Sequence, residues 1–317
     1  MSFDLEALQR AVAAHGRVAR VLVAEVRGSS PREVGAAMLV WAGGQSGTIG
    51  GGALEHQAAL AALGTQADRV SRHPLGPSLG QCCGGTVTLI TEVYDPARIA
   101  ALTDALPPET PILRRIEGNA ETPLALRRAL RQARQEGIAP PPHFSHGWMI
   151  EPVAHPDRPL WIWGAGHVGR AMIDVMAPLP GLALTWIDTG PERFPDTVPN
   201  GVTVLPAADP VALVRHAPPD ADHLILTYSH ALDLDLCHAL LAHGFGRTGL
   251  IGSTSKWARF QSRLRSLGHV QTSIDRINCP IGDPSLGKTP HAIAISTAAA
   301  LLRPASAAAA PAKETRA

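Results

Sequence analysis

The chain has 317 residues, of which 45% are hydrophobic and 17% charged, and a formal net charge of +1. That is enough apolar chain for two ordinary cores, and too little net charge to hold nucleic acid or an anionic membrane surface by electrostatics. No apolar run reaches the roughly 20 residues a bilayer-spanning helix needs, so neither nucleic acid nor membrane is an expected partner.

The opening MSFDLEALQRAVAAHG reads as an amphipathic helix, with acids where a secretory signal would carry basic residues. Four cysteines in that setting fit a reducing compartment, and the cytoplasm is the expected location. Valine-rich Arg17–Arg27 predicts a strand, ending in the loop Gly28-Ser29-Ser30-Pro31-Arg32. A second apolar run, AAMLVWAGG, follows, and Gly50-Gly51-Gly52 passes directly into a helix. The loop LGPSLGQCCGG then enters a β-branched strand, Thr86–Tyr94. Residues 95–158 read as the remainder of the first domain, with a basic helix LALRRALRQARQEG and a linker rich in proline and histidine. Beyond that point short apolar runs alternate with helical segments, as in LWIWGAGHVGRAMIDVM and HLILTYSHALDLDLCHALLAHG, which is the pattern of βαβ units. The expected fold class is therefore α/β. An N-terminal α/β domain over 1–157, linker included, is followed by a Rossmann-like doubly wound parallel-sheet domain over 158–303. The low-complexity end, 304–317, is predicted to be a disordered tail.

Three features carry chemistry. Gly164-Ala165-Gly166-His167-Val168-Gly169 lies between a strand and a helix, and Asp188 closes the next strand where a dinucleotide-binding unit keeps its ribose-binding acid. Gly164 suits a tight turn, Gly166 lets backbone approach a phosphate, and Gly169 allows close helix–strand packing. This cradle serves NAD(P) or other phosphorylated ligands, and His167 within it reads as a partly exposed structural residue. In the first half, Ser29, Ser30 and Arg32 offer hydroxyls and a guanidinium beside a glycine, while Gly50, Gly51 and Gly52 offer backbone N–H groups at a helix start. Glu55 reads as a first-turn acid complementing the helix dipole. The third feature is Gly80-Gln81-Cys82-Cys83-Gly84-Gly85. No second Cys or His pair with zinc spacing accompanies it, and the flanking glycines suggest an open loop. A thiolate there is either a soft ligand for a thiophilic metal or a nucleophile able to carry sulfur. Cys237 is expected in the core, and Cys279, in a loop, is left without a firm role.

The segments GSSPREVGAAMLV, GTIGGGALE, GPSLGQCCGG, WGAGHVG, GLIGSTSKWARF and PIGDPSLGKTPHAIAIS arrive in one order from about Val21 to Leu302. Together they resemble the XdhC/CoxI family, accessory proteins of xanthine dehydrogenase and related molybdenum hydroxylases. The resemblance implies a carrier and insertion chaperone for molybdenum cofactor, not an enzyme. It would hold and protect the cofactor while a cysteine desulfurase supplies the terminal sulfur, then insert it into the molybdenum subunit of apo xanthine dehydrogenase. Cofactor-biosynthesis proteins are the implied donors, and a homodimer is the expected assembly. Carried over by motif, the cofactor-binding residues are Cys82, Cys83, Gly84, Gly85, Ser30, Arg32, Gly50, Gly51 and Gly52. Gly164, Gly166, Gly169 and Asp188 join them from the second domain, and Cys82 is the expected transient molybdenum ligand. Two alternatives compete with this reading. One is an NAD(P)-dependent oxidoreductase built on GAGHVG and Asp188, so that NAD(P) is a possible but disfavoured cofactor. The other is a thiol-redox or sulfur-transfer enzyme using the cysteine pair.

Overall fold

The computed structural model describes residues 2–76, 84–105, 110–154 and 156–303. The chain divides into two units, Met1–His155 and Pro156–Ala317. The expected disordered tail, 304–317, lies outside the described residues, as do Cys82 and Cys83. Among the described residues no helix is long and apolar enough to cross a membrane.

The first unit runs α1 (Leu5–His15), β1 (Val18–Arg27), β2 (Ala37–Trp41), β3 (Gly44–Gly47), α2 (Gly52–Gly64), β4 (Arg69–Pro74) and β5 (Thr86–Tyr94). These strands form one sheet in the order β3-β2-β1-β5-β4, and every pairing in it is antiparallel. The α/β first domain thus rests on an antiparallel sheet. The loops 28–36 and 42–43 are shorter than the dozen or so residues a parallel crossover requires. The first seven residues of β1 are all buried, because both faces of this central strand are covered. Ala19, Val21 and Val23 on one face meet Leu54, Ala58 and Ala62, a stripe at every fourth residue of α2. On the other face Leu22 and Ile90 pack with Met149 and Ile116.

Met149 belongs to a segment expected to be a linker. The chain forms α3 (Pro96–Ala105), β6 (Ile112–Arg115) and α4 (Leu124–Glu136), the expected basic helix, and where the linker was expected it forms β7 (His143–Ser145) and β8 (Trp148–Glu151). The three strands make a second sheet, β6-β8-β7, again antiparallel. Strands of three or four residues, carrying His, Ser and Arg, are too short to show an alternation in sequence.

A buried charge quartet ties the two sheets together. Arg20 of β1 donates to Glu92 of β5 at 3.1 Å and to both oxygens of Glu151 of β8 at 3.0 and 2.7 Å. Arg114 of β6 donates to both oxygens of Glu92 at 2.6 and 3.1 Å and also to Glu151. The Phe3 ring lies against both guanidiniums, 4.4 Å from Arg20 and 4.8 Å from Arg114. The two glutamates are fully buried, and two cations balance two anions, which is the condition under which such groups can leave water. Burial alone would raise the Glu151 carboxyl, but the charges of Arg20 and Arg114 and their hydrogen bonds override it and hold it at about 2.

The second unit contains β9 (Arg158–Trp163), α5 (His167–Met176), β10 (Leu182–Asp188), β11 (Val202–Pro206), β12 (Asp222–Ile225), α6 (His230–His243), β13 (Thr248–Leu250), α7 (Thr254–Ser266), α8 (Gln271–Ile274), β14 (Ile277–Asn278) and α9 (Pro290–Leu302). Its six strands are parallel in the order β11-β10-β9-β12-β13-β14, the Rossmann order with a reversal between β9 and β12. Apolar residues of α5 and α9 cover one face over Leu160 and Ile162, while α6 and α7 cover Trp161 and Trp163 on the other. Cys237 is fully buried within that second layer, as expected.

Candidate functional site

The structure brings the glycine-rich loops of the first unit together. A Cβ on Gly28 would sit 3.2 Å from Gly85 Cα, and one on Gly85 would sit 2.7 Å from Arg27 O and closer still to Ser29 O. A Cβ on Gly50 would lie 2.6 Å from the ring of Pro31 and 3.4 Å from the Arg32 side chain. The loop 28–32 therefore touches the triple-glycine turn on one side and the end of the GQCCGG loop on the other, at distances only glycine permits. Gly85 O also accepts from Leu75 N at 2.7 Å, which closes the base of the segment carrying Cys82 and Cys83. The two thiols themselves lie outside the described residues.

The triple-glycine turn is clamped from within. The Glu55 carboxylate accepts from Ile49 N at 2.9 Å, Gly51 N at 3.0 Å and the Thr48 hydroxyl, while Gln45 donates to its other oxygen at 3.0 Å. Gly50 N donates to Thr48 Oγ1 at 3.0 Å. Partial burial would raise the Glu55 carboxyl, but these hydrogen bonds hold it below the usual carboxylate range. The expectation that Gly50 and Gly51 present bare N–H groups is thus corrected, since both amides are spent inside the turn. Glu55 does more than complement a dipole, and the sequence signal for it was an acid three residues past the glycines. A cavity of about 300 Å³ opens nearby, its lining including Arg32, Ser46, Gly47, Thr48, Arg20 and Asp4. Ser30 is half-buried and its hydroxyl donates to Arg32 O at 2.9 Å, fixing the loop that carries the guanidinium.

In the second unit the GAGHVG loop has the geometry its glycines predict. Gly164 has φ +120° and a Cβ there would meet Leu226 C at 2.8 Å. A Cβ on Gly169 would meet Gly164 C at 3.0 Å. Around Gly166, at the start of α5, there is open space, so this is where a ligand could approach backbone. His167 is exposed. Asp188 is only 4% exposed and is committed to the loop: Ala165 N donates to one oxygen at 2.6 Å, and Thr189 N, the Thr189 hydroxyl and Arg193 Nε donate to the other at 2.6, 3.1 and 3.4 Å. That arrangement holds the fingerprint turn together and leaves Asp188 poorly placed to anchor a ribose.

Sequence reasoning did not find a second buried charge pair beside this crest. Lys256 Nζ donates to Asp233 Oδ2 at 2.6 Å and to Ile251 O at 2.8 Å, and Asp233 Oδ1 accepts from Thr227 N at 3.1 Å and its hydroxyl at 2.7 Å. It links the carboxyl ends of β12 and β13. Cys279 is half-buried, and desolvation raises its thiol to about 11, above the range of a reactive thiolate. Among the described residues no group of three or more His, Cys, Asp or Glu could hold a metal ion.

Comparison with known proteins gives consistent matches. The family model described as "XdhC and CoxI family" matches residues 11–74, and the model described as "XdhC Rossmann domain" matches residues 160–301. A curated relative, the uncharacterized protein YqeB of Escherichia coli (strain K12), is 31% identical over 151 residues, 47% of this chain. That match spans 28% of the relative's own length. A crystal structure from Bacillus halodurans, described as a xanthine dehydrogenase, aligns with a TM-score of 0.67 over 98% of both chains, at 21% identity. At that identity the likeness speaks for the fold alone.

Proposed function

The chain belongs to the XdhC and CoxI family, and we propose that it acts in xanthine dehydrogenase maturation as a carrier and insertion chaperone for molybdenum cofactor. The cargo is a pterin with a dithiolene and a phosphate. In this reading a cysteine desulfurase sulfurates the cargo while it is held, and the protein then delivers it to the molybdenum subunit of the apo-enzyme. The carrier works in the cytoplasm as a homodimer and performs no turnover chemistry of its own.

The observation that supports this reading is that the loop Gly28–Arg32 meets Gly50 of the triple-glycine turn on one side and Gly85, which follows the segment bearing Cys82 and Cys83, on the other. Such an arrangement, with the Arg32 guanidinium on the shared loop, suits a cargo with a soft metal at one end and an anion at the other. Cys82 is proposed as the transient molybdenum ligand. Arg32 would face the phosphate, and Glu55 keeps the glycine turn in shape without touching the cargo. The Asp188 geometry weighs against the NAD(P) oxidoreductase alternative, because that acid already serves its own loop.

The test is direct. Purified protein is mixed with released molybdenum cofactor and separated on a sizing column, and pterin fluorescence and molybdenum are measured in the protein peak. Both are expected to co-elute. A peak without pterin, together with saturable binding of NADH, would overturn the carrier reading.

A further inference from the structure

Two motifs of the second unit, GSTSK (Gly252–Lys256) and PIGDPSLGKTP (Pro280–Pro290), have no role in the reading above. The fold brings them together as the walls of one cavity of about 470 Å³. We propose that this cavity is a separate binding site for a phosphate-bearing heterocycle about the size of a nucleoside monophosphate.

Position, size and lining all point this way. The cavity opens where β13 ends and α7 begins, at the carboxyl-end edge of the parallel sheet that ligands of such sheets approach, one strand beyond the β9/β12 reversal. Its volume falls within the roughly 300–1,000 Å³ typical of small-molecule sites. Ile251, Ile281, Pro284 and Ile293 give apolar walls for a flat ring. Polar groups sit at the mouth: the exposed Thr254, and Lys288, an exposed ammonium without an ion pair or hydrogen bond among the described residues. Ser296, 5% exposed, also lines the cavity, its hydroxyl donating to Ile293 O at 3.0 Å. The one lining carboxylate, Asp283, is engaged in its own turn, where Ser285 N and Oγ donate to it at 2.9 and 2.7 Å.

The site is also rigid, which lowers the entropic cost of binding. Lys256, neutralised by Asp233, reaches back under the Gly252 loop to Ile251 O, and a Cβ on Gly252 would lie 2.8 Å from the Lys256 side chain. Gly282 has φ +72°, and a Cβ there would meet Thr297 Oγ1 at 3.1 Å and Ser296 Oγ more closely, so loop and α9 meet at a distance only glycine allows. None of the lining residues belongs to the GAGHVG loop.

Equilibrium dialysis of the full chain with AMP, CMP, adenosine and inorganic phosphate tests the proposal. At least one nucleotide is expected to bind saturably, at least tenfold more tightly than adenosine or inorganic phosphate alone. Thr254→Glu puts a carboxylate at the mouth in a position that favours the helix, so the fold should persist while nucleotide binding falls at least tenfold. Lys288→Gln should weaken binding in the same direction. No saturable nucleotide binding, inorganic phosphate binding as tightly as the nucleotides, or binding unaltered in both variants would overturn the proposal. Both variants should load molybdenum cofactor at the wild-type level, so failure here is distinguishable from failure of the carrier reading.

Discussion

Gly85→Ala is the sharpest probe of the loop convergence. The added Cβ would stand 2.7 Å from Arg27 O and nearer to Ser29 O, against a comfortable carbon–oxygen separation of about 3.3 Å. Both obstacles are backbone atoms of the strand-to-loop transition after β1, so no rotamer change relieves them, and the two loops must part by more than half an ångström. Overpacking of this kind costs about 1–3 kcal/mol. In urea melts of the whole protein that appears as a lowered midpoint with an unchanged slope. Because the displaced loop leads to Cys82 and Cys83, cofactor retention on the sizing column should fall about tenfold, equivalent to about 1.4 kcal/mol of binding. Gly64→Ala is the control, since a Cβ there meets nothing within 4 Å and its φ is not positive. A Gly85→Ala protein with wild-type stability and wild-type retention would refute the argument that backbone proximity builds the site.

Three further outcomes follow from the same geometry. Arg114→Met leaves Glu151 facing Arg20 alone and Glu92 with Arg20 and the more distant Arg98, and should destabilise the first unit by about 3–5 kcal/mol near pH 7, measured by urea denaturation. Glu151 is held near 2, so its share of stability is present above the usual 4.5 and is lost as pH falls toward 2; the Arg114→Met deficit should narrow over that window. His223 behaves in the same direction at higher pH. Burial foremost, and then the charge of His243, lower it from 6.5 to about 3, so the second unit should lose stability on the order of 5 kcal/mol as pH falls through that range. A His223→Leu protein whose stability keeps the wild-type slope between those values would contradict this. Finally, Gly169→Ala should disrupt the second unit through its clash with Gly164, while Gly166→Ala should fold with wild-type stability, as circular dichroism melts will show.

What was legible in the sequence was whatever leaves a local trace. Val18–Arg27 and Thr86–Tyr94 are dense in β-branched residues, and GAGHVG places three glycines at the spacing its turn needs, so these elements and the Rossmann unit could be read directly. The antiparallel sheet of the first unit was hidden because its strand pairing depends on long-range order. β6, β7 and β8 were hidden because three or four residues carry no period. The charge quartet spans from Arg20 to Glu151, and its only trace is a lone charge inside an apolar run, as in RVARVLVA and WMIE. Asp233 and Lys256 were masked in the same way, each at an ordinary-looking helical position. The three glycine loops were found one by one, but that Gly28, Gly50 and Gly85 meet was not readable, because contact between loops is settled by the sheet beneath them.

The central claim is that this protein hands molybdenum cofactor onward, and a transfer assay measures that directly. Protein loaded with cofactor is mixed with apo xanthine dehydrogenase, the two are separated again, and pterin and molybdenum are measured in each. Wild type is expected to lose its cargo to the enzyme, whereas Cys82→Ala and Cys83→Ala proteins, poorly loaded at the start, should deliver little. An enzyme that acquires cofactor equally well from free solution, with none passing through this protein, would contradict the account.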